Sequence, residues 1–189
     1  MKKIALVLFC TILASCSKSD DSQTPKIPFF NLKIGNSWSY KEYYQGDQFI
    51  RNIEIEVVRD TIIGGLKYAM LSNDEGNNGF YYTFRRVDVF GHLVNESGRV
   101  IHPGYDMNYR TTQSYNGGIL TYHMMFPKLI SVEQKNYYVY PFDLDYTPVS
   151  SDYDPAKISS QYQPGLGMVY RHQTGNPEFE YRLVSAHLN

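Results

Sequence analysis

Residues 49–60 constrain the fold more than any other stretch. Ile53, Ile55 and Val57 alternate there with Asn52, Glu54 and Glu56. Alternation at period two puts the apolar side chains on one face of a strand and the polar ones on the other. A strand with one wet face suits an antiparallel sheet rather than a parallel one, whose strands are covered on both faces. The same period recurs elsewhere. Trp38 and Tyr40 alternate with Ser37, Ser39 and Lys41. In residues 80–90, Tyr82, Phe84 and Arg86 oppose Tyr81, Thr83, Arg85 and Val87. Near the end, Phe179, Tyr181 and Leu183 alternate with Glu178, Glu180 and Arg182. Gly35-Asn36, Gly64-Gly65, Gly91, Gly98 and Gly175-Asn176-Pro177 punctuate these runs as turn signals. No apolar run keeps a helical period beyond about two turns.

The expected fold is therefore all-β: an antiparallel meander forming a curved sheet, half-barrel or barrel, with at most a short helix. That helix would cover residues 155–161, with Asp154 as cap and Pro155 at the first helical position. The middle of the chain is less regular. Residues 102–118 carry turn residues without a period and read as irregular. Residues 119–126 and 132–142 read as strands, and 143–160 as a loop. Aromatics make up 15% of the chain, with 18 Tyr and a single Trp. Tyr suits half-buried strands, where its ring packs and its hydroxyl reaches water. Trp38 is expected to be buried; were it exposed, it would offer a stacking platform for a sugar.

Both cysteines, Cys10 and Cys16, lie at the N-terminus. Nothing beyond residue 16 can form a disulfide or a thiolate metal site, so stability there must come from packing. The N-terminus has the parts of a secretory signal: Lys2 and Lys3, an apolar run over 4–12, then Ala14 and Ser15 before Cys16. The run falls short of the roughly 20 residues a membrane span needs. Leu13-Ala14-Ser15-Cys16 resembles the lipobox read by the bacterial lipoprotein pathway. The resemblance implies cleavage before Cys16 and acylation of its thiol, a covalent lipid and no other cofactor. The chain then divides into a lipoprotein signal peptide (1–15), the lipidated cysteine with a flexible tether (16–28) and a single β domain (29–189).

Residues 17–22, Ser-Lys-Ser-Asp-Asp-Ser, resemble the acidic export signal of Bacteroidetes-type surface lipoproteins. That implies lipid anchoring in the outer membrane, with the cell surface ranked ahead of the periplasmic face. Past the signal peptide, 16 basic side chains face 19 acidic ones, a formal charge of −3. Such a balance argues against nucleic acid as a partner, since that needs a basic patch. Two further segments, Gly35-Asn36-Ser37-Trp38-Ser39-Tyr40 and Pro164-Gly165-Leu166-Gly167-Met168-Val169, resemble paired signatures of uncharacterised bacterial envelope lipoproteins. That likeness implies a curved antiparallel sheet and no catalytic residues.

No catalytic constellation stands out. His92, His102, His123, His172 and His187 are scattered without metal-site spacing. Asp143, Asp145, Asp152 and Asp154 read as a solvated acidic loop, and no metal ligands are assigned. Gly165-Leu166-Gly167 lacks the third glycine and helix of a dinucleotide site and reads as a turn and bulge. Serine is plentiful, but none lies in a Gly-x-Ser-x-Gly elbow. Three readings stay open, in this order. The first is a non-catalytic binding module for an apolar or glycan ligand, with Tyr105, Tyr109, Tyr115, Tyr137, Tyr138 and Tyr140 as candidate contacts. The second is a structural or assembly subunit with an envelope protein partner. The third is a glycan-acting enzyme, which needs a carboxylate pair that the sequence does not reveal.

Overall fold

The computed structural model describes residues 27–76, 79–150, 154–175 and 177–189. Residues 1–26, with Cys16, the expected signal peptide and most of the expected tether, lie outside these residues. Thirteen strands run in chain order: β1 (Ser37–Tyr44), β2 (Gln48–Ile63), β3 (Leu66–Asp74), β4 (Phe80–Val87), β5 (Leu93–Val94), β6 (Val100–His102) and β7 (Arg110–Tyr115). Then follow β8 (Gly118–Met124), β9 (Lys128–Val132), β10 (Lys135–Pro148), β11 (Ala156–Gln163), β12 (Gly167–Gln173) and β13 (Phe179–His187). The sheet order is β6-β5-β4-β3-β2-β1-β13-β12-β11-β10-β8-β7, with β9 paired to β10 alone. All pairings are antiparallel. The sheet is curved and open, with β6 and β7 as its unjoined edges.

Cross-strand partners share a face, so the register shows how the core is built. Tyr40 pairs with Ile53 and Leu183, and Val57 with Leu71. These five form one buried cluster with Trp38, whose exposure is 6%. The expected burial of Trp38 is met, and its Nε1 donates to the Leu166 carbonyl at 2.5 Å. Gly167 lies against this indole with φ +108°; a Cβ there would come within 3.1 Å of Trp38 Nε1. The turn between β9 and β10 reaches back to β1. Glu133 reaches Lys41 at 3.6 Å and accepts from the Tyr43 hydroxyl, while Val132, Tyr137 and Val139 join the buried cluster.

Four segments differ from the sequence reading. Residues 132–142 are not one strand: Glu133 and Gln134, both at positive φ, make a two-residue turn between β9 and β10. Where a helix was expected over 155–161, β11 runs over Ala156–Gln163, because β10 and β12 pair with it on both sides. The strand β10 runs on to Pro148 through residues read as loop, and β7 occupies 110–115 within the stretch read as irregular.

A second cluster seats the segment before β1. Phe29, Phe30 and Leu93 pack with Tyr140 and Tyr162. At its centre His102 is fully buried, stacked on Phe29 at 4.9 Å and tilted over Tyr162 at 4.5 Å. Its Nδ1 accepts from the Gly104 N–H at 3.0 Å, so its Nε2–H donates to the Tyr140 carbonyl at 2.9 Å. Burial is the chief reason its pKa falls to about 3; the Tyr140 hydrogen bond opposes the fall, and His92 adds slightly to it. His102 is a neutral core group.

Candidate functional site

The concave face holds a cavity of about 300 Å³. Ligand pockets start near this size. Its floor comes from the central strands: Trp38 and Tyr40 of β1, Ile53 and Ile55 of β2, Leu71 and Asn73 of β3. By register Trp38 pairs with Ile55, Tyr40 with Ile53, and Ile55 in turn with Asn73. The alternation of β4 then turns Tyr81, Thr83 and Arg85 to the same face, opposite Asn73, Leu71 and Ala69. On the other flank, Tyr181 pairs with Arg171, and both line the cavity with Tyr162 and Met168. Phe30, Leu32, Leu93, Arg99 and Ile101 complete the wall.

Polar groups at the floor are mostly committed. Asn73 Nδ2 donates to Thr83 Oγ1 at 3.1 Å and to the Leu71 carbonyl at 3.2 Å. The Tyr40 hydroxyl donates to the Met168 carbonyl at 2.9 Å. Glu42, only 2% exposed, is held by Arg51, whose other arm reaches Glu75 at 2.7 Å. Burial and a hydrogen bond to Glu42 push the Tyr181 hydroxyl up to about 12. Burial likewise raises Tyr40 and Tyr162. These phenols stay neutral in the physiological range and serve as hydrogen-bonding groups. Glu75 is the carboxylate among the residues described as lining the cavity.

A second, shallower hollow of about 570 Å³ adjoins at Arg99, which lines both. Tyr115, Leu120, Tyr122, Leu144, Tyr146 and Ile158 form its walls.

The six tyrosines singled out from the sequence are spread around this face. Tyr115 lines the second hollow. Tyr105 and Tyr140 meet edge-on at 5.5 Å, both against Phe29, and Tyr138 stands edge-on to Tyr140 at 6.0 Å. The Tyr105 hydroxyl donates to the Ile27 carbonyl at 3.1 Å. Tyr109 packs on Phe142 and His92. Tyr137 is buried in the main cluster. None of the six borders the 300 Å³ cavity, whose tyrosines are Tyr40, Tyr81, Tyr162 and Tyr181. The alternation of β1, β4 and β13 was the available signal for three of these, but it does not say which face curls inward.

Of the acidic residues read as a loop, Asp143 is buried on β10, accepting from Ser159 at 2.6 Å and pairing with Lys157 at 2.6 Å. Asp152 lies outside the described residues. His172, Glu178 and Glu180 bring three ligating atoms within 4.8 Å of one another. Glu178 accepts from His172 at 2.7 Å and Glu180 holds Arg182 at 2.7 Å, so internal pairing accounts for the group.

No family model and no curated protein matches the chain. Two solved structures share the fold. One is a candidate lipoprotein from Parabacteroides distasonis, with TM-score 0.54 and 10% identity, covering 86% of this chain and 99% of that one. The other is a candidate exported protein with YmcC-like fold from Bacteroides fragilis, with TM-score 0.55 and 9% identity, covering 85% of this chain and 99% of that one. The likeness is one of fold and runs through nearly the whole of both.

Proposed function

We propose that this chain is a lipid-anchored envelope lipoprotein whose β domain binds an apolar or glycan ligand in its concave cavity, without catalysis. The observation that carries the reading is the cavity itself: about 300 Å³, walled by Trp38, Ile53, Ile55 and Leu71, with hydroxyls and guanidinium groups at its margins. A mostly apolar wall with a few placed polar groups is the usual make-up of a small-molecule site. Glycan hydrolysis would call for two carboxylates, whereas Glu75 at the cavity is tied to Arg51.

The anchoring rests on Leu13-Ala14-Ser15-Cys16, and the acidic residues that follow favour the outer membrane and its outer face. Kinship of fold with a candidate lipoprotein and a candidate exported protein supports an envelope setting. In the bacterial host, Cys16→Ala should abolish incorporation of radioactive fatty acid; unchanged labelling contradicts acylation at that residue.

For binding, the full chain carrying Cys16→Ala is screened against lipids and glycans separately by thermal melting. A ligand at 100 times its Kd should add roughly 2.7 kcal/mol. No shift with either class, together with a stoichiometric co-purifying envelope protein, favours the assembly reading instead. A specific feature speaks for that second reading: Val89 and Phe90 in the β4–β5 turn are 93% and 78% exposed, and exposed apolar side chains that cluster can mark a docking surface.

A further inference from the structure

We propose that the cavity takes an anionic amphiphile, its oxyanion head group held by Arg85, Arg99 and Arg171 and its alkyl chain laid along Trp38, Ile55 and Ile101. This rests on the reading of the cavity as a ligand site and names the chemistry of the ligand.

The three arginines come from distant places in the sheet. Arg85 stands on β4 and Arg171 on β12, with β3, β2, β1 and β13 between them in the sheet order. Curvature brings both to one cavity, where Arg99 joins them from the turn before β6. Arg85 and Arg171 both act on the Tyr162 hydroxyl, each favouring its ionised form against the stronger effect of burial. All three arginines line this one cavity.

Among the described residues, no ion pair neutralises Arg85, Arg99 or Arg171, and Glu96 acts on Arg85 without pairing to it. Among the described residues, the arginine ion pairs are those of Arg51 with Glu42 and Glu75 and of Arg182 with Asp47 and Glu180. Glu75, the carboxylate at the cavity, is thus taken by Arg51. Arg85 spends one nitrogen on the neighbouring Phe84 carbonyl at 2.8 Å. Burial lowers its pKa, Tyr162 and Glu96 oppose that, and Arg99 adds to it. Arg171 lies 5.7 Å from the Tyr181 ring centroid, and its Nε is buried with no hydrogen-bond partner. A buried donor without an acceptor is costly, and the half-buried guanidinium groups of Arg85 and Arg171, without an ion-pair partner, add to that cost.

A carboxylate or phosphate removes both penalties. Its oxygens match the planar guanidinium fork, and the attraction is strengthened where apolar walls exclude water. The apolar floor then accounts for the rest of the ligand: a bare inorganic anion would leave Trp38, Ile55 and Ile101 uncovered. A free fatty acid and a lipid phosphate share the required chemistry, and the test separates them.

The full chain carrying Cys16→Ala is titrated with dodecanoate, dodecyl phosphate and dodecanol, each below its micelle threshold. Emission of Trp38, the single tryptophan, reports binding from within the cavity wall. Both anions should bind roughly tenfold or more tightly than dodecanol, and the tighter of the two identifies the head group. Arg171→Gln and Arg99→Gln should each narrow that gap. Arg99 is exposed, so its variant keeps the test open if Arg171→Gln does not fold. Equal affinity for all three ligands, or a gap that survives both substitutions, overturns the head-group assignment and leaves an apolar site. No response to any of the three in cooperatively melting protein overturns the cavity reading, and this inference with it.

Discussion

At the scale of single residues, His102 shows how much of this protein's polar chemistry serves its core. Both ring nitrogens are occupied, by the Gly104 N–H and the Tyr140 carbonyl, and aromatic rings surround it. Its scattered position in the sequence gave no hint of this. The linkage runs in one direction. The unfolded chain protonates His102 near 6.5, whereas the folded protein does so only near 3. Between those values the unfolded state binds one more proton, so stability falls as pH falls. Between about pH 6 and pH 4, the unfolding free energy of the unsubstituted chain should drop more steeply than that of His102→Gln, by about 1.4 kcal/mol per pH unit. Urea titrations across that range check the difference, and parallel slopes for the two proteins would contradict it. Gln retains a donor and an acceptor, so the comparison isolates the titration.

At the scale of elements, strands with a clear apolar alternation were legible and strands without one were not. The alternation over residues 49–60 became β2, with Ile53 and Val57 buried. The clear pattern near the C-terminus became β13. By contrast, β11 reads Ala-Lys-Ile-Ser-Ser-Gln-Tyr-Gln, with too few apolar residues to show any period. Its strand character comes from the ladders that β10 and β12 offer it, a tertiary effect that outweighs local propensity. The β9–β10 turn was missed for a related reason: Glu133-Gln134 adopts positive φ without the Asn-Gly that normally marks such a turn. The pairing of β11 carries its own test. Ser160 stands between Phe142 and Arg171 in the two ladders. Proline there removes a backbone donor from a doubly paired strand. Ser160→Pro should cost roughly 1–3 kcal/mol for the lost hydrogen bond and the acceptor it strands. Chemical denaturation measures it; a neutral outcome would mean that β11 is not paired as described.

At the scale of the whole molecule, the decisive contact is the pairing of β1 with β13. It joins strands from the two ends of the chain in the middle of the sheet and lets the flanks curl toward one face. Nothing local in the sequence announces that pairing, so nothing local could place Arg85, Arg99 and Arg171 around a common cavity. Each reads in isolation as an ordinary solvent-facing charge. The tyrosines favoured from the sequence lie in irregular or aromatic-rich stretches, whereas the cavity draws Tyr40, Tyr81 and Tyr181 from strands that alternate evenly. The central claim is that this cavity is where the protein binds its ligand, and filling it tests that most directly. Ile55 lies at the floor between Trp38 and Asn73 in the register. Native mass spectrometry of the full chain carrying Cys16→Ala, with and without Ile55→Trp, is run against any ligand that raises the melting temperature. The account predicts a one-to-one adduct that Ile55→Trp abolishes while the protein still melts cooperatively. An adduct of undiminished intensity in the filled variant would contradict it.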